Sequence, residues 1–180
     1  MNNTIVLLAG KSGSGKSTVE KVLRDKYGWK TVTSYTTRPK RTPDEAGHIF
    51  ISESEFDKIK DSDMVAYTLF NGYRYCATKQ QVEDTDIYIV DKRGIEEFRV
   101  RYDGNKDVLV VYIDVDEEVL LDRMVGRGDS KEKALERMEH DRMAFADIED
   151  LVDIIFDGGS MKPDEIAEEI FFICTGQRDI

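Results

Sequence analysis

Cysteine, proline and histidine are scarce in this chain of 180 residues, which holds two cysteines, three prolines and two histidines. Cys76 and Cys174 lie far apart and lack metal-site spacing. That excludes a small disulfide scaffold and makes a reducing cytoplasm the expected setting. With only His48 and His140 available, no histidine-centred hydrolytic arrangement can be built, and His140, within "RMEHDRM", reads as a solvated helix face. No stretch approaches the roughly 20 apolar residues of a membrane span. The opening "MNNTIVLLAGKSG" has a short apolar run with no basic leader, so it reads as a buried strand and not an export signal. Positive charge is also in short supply: 26 Lys and Arg stand against 37 Asp and Glu, a formal charge of −11. Such a surface suits neither nucleic acid nor an anionic membrane, and no obligate protein partner is implied. An anionic ligand must therefore be met by a local cluster of cations.

The chain is long enough for one domain, and its 40% hydrophobic and 35% charged residues supply both a core and a polar surface. Thr4–Ala9 reads as a buried strand, followed by a helix over Thr18–Lys26 and a short β-rich piece at Lys30–Ser34. From Tyr35 to about Val82 the character changes. A Pro/Gly loop leads to "HIFI", then to "SESEFDKIK" with a capping box of Ser52 and Glu55, then to a hairpin "YTLFNGYRYCAT" turning at Asn71-Gly72. Strand and helix then alternate: Asp86–Val90, Lys92–Arg101, Asp107–Ile113, Asp116–Val125, Ser130–Ala146, Val152–Phe156 and Pro163–Cys174. Asp129 with Glu132 is the expected cap of the long helix, and Pro163 suits a first turn. The runs "IVLLA", "IYIV" and "VLVVYI" are continuously apolar, as in parallel strands covered on both faces. The fold class is α/β. Ligands on such sheets bind beyond the strand C-termini, here near Gly10, Ser34, Asp91 and Asp114.

"GKSGSGKS", Gly10 to Ser17, matches G-x-x-x-x-G-K-[ST] in full, with an apolar strand before it and a helix after. Backbone N–H groups of Gly10, Lys11, Ser12, Gly13, Ser14, Gly15 and the helix start to Thr18 would cradle the phosphates of a nucleoside triphosphate. Lys16 would reach the β- and γ-phosphates, and Ser17 would ligate Mg²⁺. A GTPase should show N-K-x-D after a strand. The nearest stretch, Asn105-Lys106-Asp107, precedes one, so a compact phosphotransferase remains.

Two cationic stretches stand out. From Lys26 through Pro43 there are five Lys or Arg and no acid, ending in Arg38, Lys40 and Arg41. "DRMVGRGDSKEKALERM" supplies Arg123, Arg127 and Arg137, with Gly126 and Gly128 around Arg127 as a hinge. Such an element can close over a triphosphate, exclude water and neutralise the transferring group. The plainer alternative is salt bridging with Asp122, Glu136 or Asp141. A phosphate acceptor already carries an anionic oxygen, so positioning and charge stabilisation suffice without a strong base.

With "AGKSGSGKST", "SYTTRPKR", "HIFISESEF", "NGYRYCAT", "IVDKRGI" and "GRGDSKEKALERM", the chain resembles the guanylate kinase family over nearly its whole length. The resemblance implies a P-loop NTPase-type, five-stranded parallel sheet flanked by helices, in a core of residues 1–34 and 83–180. It also implies a helical lid at about 123–140 and a small mixed α/β acceptor-binding insertion over 35–82. It implies transfer of the ATP γ-phosphoryl group to GMP or dGMP with Mg²⁺. Ser34, Thr36, Thr37, Arg38 and Arg41 fall on the acceptor-phosphate motif, with His48 in place of a tyrosine. Tyr75, or its neighbour Tyr73, matches a phosphate-binding tyrosine, and Asp91 a guanine-contacting aspartate. Arg127 and Arg137 match arginines that close on the transferring group, with Lys16 and Arg38 completing the catalytic set; Arg123 is a weaker match. The departures fall where the base is read. Ala66 stands for a glutamate, Ala77 (beside Thr78) for a hydroxyl residue and Arg93 for a glutamine. Glu45, Asp84 and Asp86 are carboxylates that could substitute. Two rivals follow: a kinase of another monophosphate or phosphorylated small molecule, and a non-catalytic interaction module of the same fold.

Overall fold

The computed structural model describes residues 3–40, 42–70 and 72–177. Strand β1, Thr4–Gly10, shows why its sequence is continuously apolar. Ile5, Leu7 and Ala9 enter one hydrophobic cluster, while Val6 and Leu8 enter another on the opposite face. It lies inside a parallel sheet with β6 (Ile87–Ile89), β7 (Asp107–Asp114) and β8 (Ile154–Asp157), in the order β6-β1-β7-β8.

The fifth place in this sheet is taken by a single parallel bridge between Thr31 and Ile87. There Val32 N–H donates to the Ile87 carbonyl at 2.9 Å. The β-rich segment expected at Lys30–Ser34 thus divides. Thr31 closes the core sheet, and Ser34–Thr36 (β2) leaves to pair elsewhere. It joins a second, mixed sheet ordered β3-β2-β5-β4, in which β2 runs parallel to β3 (His48–Phe50) and antiparallel to β5 (Tyr73–Thr78). Strand β4, Met64–Phe70, completes the hairpin with β5. Their register jumps from Val65–Ala77 to Thr68–Tyr75, so Ala66 and Tyr67 form a bulge, with Ala66 at φ 51°.

Helices α1 (Lys16–Tyr27) and α7 (Pro163–Thr175) pack together on one face of the core sheet. Leu120 and Met124 of α5 (Glu117–Gly126) and Ala134 and Met138 of α6 (Lys131–Ala144) enter the same cluster. Helix α4, Lys92–Arg101, lies on the other face and against β4, so Val65, Ala66 and Ala77 of the hairpin join the core around Phe98. A smaller cluster of Phe56, Met64 and Cys76 sits within the second sheet. Its Phe56 comes from α2, Glu53–Phe56, which starts at the expected Ser52–Glu55 capping box. A second box, Thr78 with Gln81, starts α3 at Lys79–Glu83. Ser130, not Asp129, caps α6 by accepting from the Lys133 N–H; Asp129 is held instead by arginines. Among the described residues no helix is long and apolar enough to cross a membrane.

Phe98 is fully buried, with its ring centroid 4.7 Å from that of Tyr102. Phe98→Ala should cost about 3–5 kcal/mol in urea denaturation. A loss below about 1 kcal/mol would contradict its place in the core.

Candidate active site

The chain turns sharply where β1 ends. A Cβ on Gly10 would meet the Ser14 hydroxyl at 2.6 Å and the Ile113 carbonyl at 2.8 Å, so only glycine lets the loop pass this close to β7. Gly15, at φ 102°, then occupies the N-cap of α1 without a side-chain cap, leaving that helix end open to an anion. Lys16 folds back over the loop and donates to the Gly10 and Lys11 carbonyls at 2.6 and 2.9 Å. Burial pulls its pKa from an ordinary 10.5 to about 8; the Asp141 carboxylate opposes this fall and the Arg127 guanidinium adds to it.

Beside the loop is a cavity of about 390 Å³ lined by Ser12, Gly13, Gly15, Lys16, Ser17 and Thr18 on one side. Arg123, Arg127 and Arg137 face them. Of the residues expected around a triphosphate, Gly10, Lys11 and Ser14 do not line this cavity. Gly10 and Lys11 supply carbonyls to Lys16, and Ser14 is buried in the turn. Arg127 donates to Asp129 at 2.9 Å, and Arg137 reaches the same carboxylate at 3.5 Å. The hydrogen bond from Arg127, reinforced by the charges of Arg127 and Arg137, holds the Asp129 pKa below the ordinary carboxylate value. Arg123, the weaker match, donates to the Gly158 carbonyl at 2.7 Å and approaches the loop carbonyls of Gly13 and Ser14 at 3.5 Å. The sequence offers Asp141 only as a salt-bridge partner. It is buried and accepts the Ser12 N–H at 2.6 Å.

A second cavity, of about 230 Å³, lies between the two sheets. Four of the expected acceptor residues line it: Ser34, His48, Tyr75 and Asp91. The Ser34 hydroxyl and His48 Nδ1 are 2.9 Å apart, and the rings of His48 and Tyr75 meet edge to face at 5.6 Å. Asp91 caps α4 by accepting the Gly94 N–H at 2.7 Å. Burial pushes the Tyr88 phenol pKa up, against a hydrogen bond with Ser34. Ala66 lines this cavity with a methyl group, and Thr68, unforeseen, offers a hydroxyl beside it. Ala77 lies in the core and Thr78 is used as a helix cap.

Thr37 is placed elsewhere, its hydroxyl accepting the Arg74 N–H of β5 at 3.0 Å just past the end of β2. Arg38 is clamped by Glu45 at 2.7 and 3.2 Å, with a further hydrogen bond to Tyr75, and its guanidinium pKa is raised chiefly by the Glu45 bond. Arg41 lies outside the described residues.

A third cavity, of about 420 Å³, shares Ser17 with the loop cavity and Ser34, His48 and Tyr88 with the cavity between the sheets. The third cavity thus shares wall residues with both the loop cavity and the cavity between the sheets. Guanidinium groups line the loop cavity, and hydroxyl, imidazole and carboxylate groups line the cavity between the sheets.

A family profile described as "AAA domain" matches residues 6–144. The chain is 32% identical to a guanylate kinase of Mycoplasmopsis pulmonis, covering 92% of this chain and 91% of that protein. It is 36% identical to a guanylate kinase of Fusobacterium nucleatum over a shorter stretch, 44% of this chain and 45% of that protein. The crystal structure of guanylate kinase from Anaplasma phagocytophilum matches at a TM-score of 0.60 and 18% identity, covering 97% of this chain and 87% of that one.

A buried lysine ammonium ties stability to pH. Folded Lys16 loses its proton near pH 8 and the unfolded residue near 10.5. Between those values the unfolded chain binds more protons, so this residue's contribution to stability rises with pH. Denaturation of the ligand-free protein at pH 7.5 and 9.5 should show a gain that Lys16→Met lacks. Equal pH dependence in the two proteins would contradict a desolvated ammonium.

Proposed function

The chain belongs to the guanylate kinase family, with an AAA domain over residues 6–144, and we propose that it transfers the γ-phosphoryl group of ATP to a nucleoside 5′-monophosphate, GMP or dGMP first. The observation that carries this reading is a pair of cavities, a cationic one at the phosphate loop and a smaller one between the sheets, each sharing wall residues with the same third cavity. A hydrolase needs water at the γ-phosphate. A kinase needs a second site beside it.

In this reading Lys16 and the loop N–H groups other than that of Ser12, which Asp141 accepts, hold the β- and γ-phosphates, and Arg127, Arg137 and Arg123 surround the transferring group. The arginines exchange Asp129 for phosphate oxygens, which present more negative charge. Residues 35–82 form the acceptor unit. Arg38, and Arg41 with it, bind the acceptor phosphate after Arg38 leaves Glu45, while Ser34, His48 and Tyr75 supply neutral donors. The acceptor oxygen is already anionic, so orientation in line with the γ-phosphorus takes the place of a general base. Ser17, exposed at the loop cavity, is the chain's candidate Mg²⁺ ligand. Among the described residues no group of three or more His, Cys, Asp or Glu could hold a metal. That suits an ion coordinated mainly by phosphate and water. When bound, Mg²⁺ supplies charge neutralisation on the triphosphate.

Ala66, which lines the smaller cavity, favours a second reading, a kinase of a different monophosphate. Among the described residues no side-chain carboxylate other than that of Asp91 lines the smaller cavity. Guanine N1–H and its amino group then depend on Asp91 and backbone carbonyls, and a donor left unpaired costs discrimination.

Coupled assays with ATP, Mg²⁺ and a panel of monophosphates should show turnover with GMP and dGMP. Turnover with another base alone would support the second reading, and none with any monophosphate would refute both. Lys16→Ala should lower kcat by about 10²–10³-fold. Arg38→Ala should raise the acceptor KM about tenfold or more; an unchanged KM would remove Arg38 from the phosphate.

A further inference from the structure

Helix α6 meets the loop cavity at Arg137 and the loop itself at Asp141. Arg137 lines the cavity, and Asp141, four residues on and therefore on the same face, accepts the N–H of Ser12, itself a lining residue, at 2.6 Å. Asp141 is 8% exposed, and its other oxygen stands 3.5 Å from Nδ1 of the exposed His140. The next residue, Arg142, grips Glu117 of α5 through two hydrogen bonds of 2.8 and 2.6 Å. The C-terminal half of α6 is thus fastened at adjacent residues to the phosphate loop and to α5. The other end follows the Gly126-Arg127-Gly128 turn, where Arg137 meets Asp129 at 3.5 Å and remains about half exposed.

We propose that Asp141 is a positioning residue for phosphoryl transfer: by accepting the Ser12 N–H it pins α6 to the phosphate loop and sets the reach of Arg137. This rests on the kinase reading of the loop cavity. The Asp141 charge also acts on Lys16, opposing the fall of its pKa, and asparagine removes that charge while keeping the acceptor. The required feature is a short side-chain acceptor, which asparagine also provides. The C-terminal part of α6 is then the fixed end of the lid, and closure turns about this point, carrying Arg127 farther than Arg137.

The test compares Asp141→Ala, Asp141→Asn, Arg137→Ala and the Asp141→Ala/Arg137→Ala double variant of the full chain, with ATP and the best monophosphate. Asp141→Ala should lose about 10- to 100-fold in kcat, the scale of an ångström-sized misplacement, with the monophosphate KM unchanged within about twofold. Asp141→Asn should stay within about threefold of the parent. The double variant should be no slower than Arg137→Ala, because the Asp141 effect acts through that arginine. Parental kcat in Asp141→Ala, an equally slow Asp141→Asn, or a double variant showing the product of both losses would overturn the proposal. If Asp141→Ala does not fold, Asp141→Leu keeps the volume without the acceptor and should behave as predicted for alanine. Amide exchange at Ser12 reads the anchor without activity: it should quicken in Asp141→Ala or Asp141→Leu and not in Asp141→Asn. Unchanged exchange would refute the anchor, whereas an inactive parent with the expected exchange would refute the kinase reading alone.

Discussion

The Lys16 ammonium is held in a place that disfavours it. It is buried against the carbonyls of Gly10 and Lys11, close enough to the Arg127 guanidinium to feel its charge, and its pKa has fallen to about 8. Three arginines share its cavity. Such a cluster persists only because the surrounding structure imposes it, and its unfavourable charge is relieved when an anion of high charge density enters. The tight turn at Gly10, the uncapped start of α1 and the arginines brought in by α5 and α6 all serve that one electrostatic arrangement.

Carboxylates of the chain itself occupy part of the same field. Asp129 holds Arg127 and Arg137, Glu45 holds Arg38, and Asp141 holds the loop. In the ligand-free protein these pairs limit repulsion among the cations. Phosphates must then compete with them, and that competition favours ligands bearing several charges over single anions. The chain's net charge of −11 coexists with a local cluster of cations at the phosphate loop.

The phosphate loop was legible in the sequence because its chemistry is contiguous: eight residues, a strand before and a helix after. Helix α4 was legible for a similar reason, and its span of Lys92–Arg101 is as expected. What escaped notice depends on contacts between distant residues. Nothing around Asp141 in "RMEHDRM" signals that its carboxylate meets Ser12, and Asp129, expected as a cap, serves Arg127 instead. Thr37 sits in the phosphate motif, yet its hydroxyl is engaged by the backbone of Arg74. The piece at Lys30–Ser34 reads as one strand because β propensity does not show where a chain changes sheets. Thr68 reached the smaller cavity through a bulge at Ala66, and no local pattern announces a bulge there.

The central claim is that donor and acceptor phosphates meet in one continuous space. A dinucleotide with adenosine and guanosine joined through five phosphates would span both cavities at once. Titration calorimetry should show one such molecule bound per chain, at least about a hundredfold tighter than ATP or GMP alone, as expected when two sites are filled by one ligand. Affinity no greater than that of ATP would mean that the two cavities do not work together, and would contradict the account.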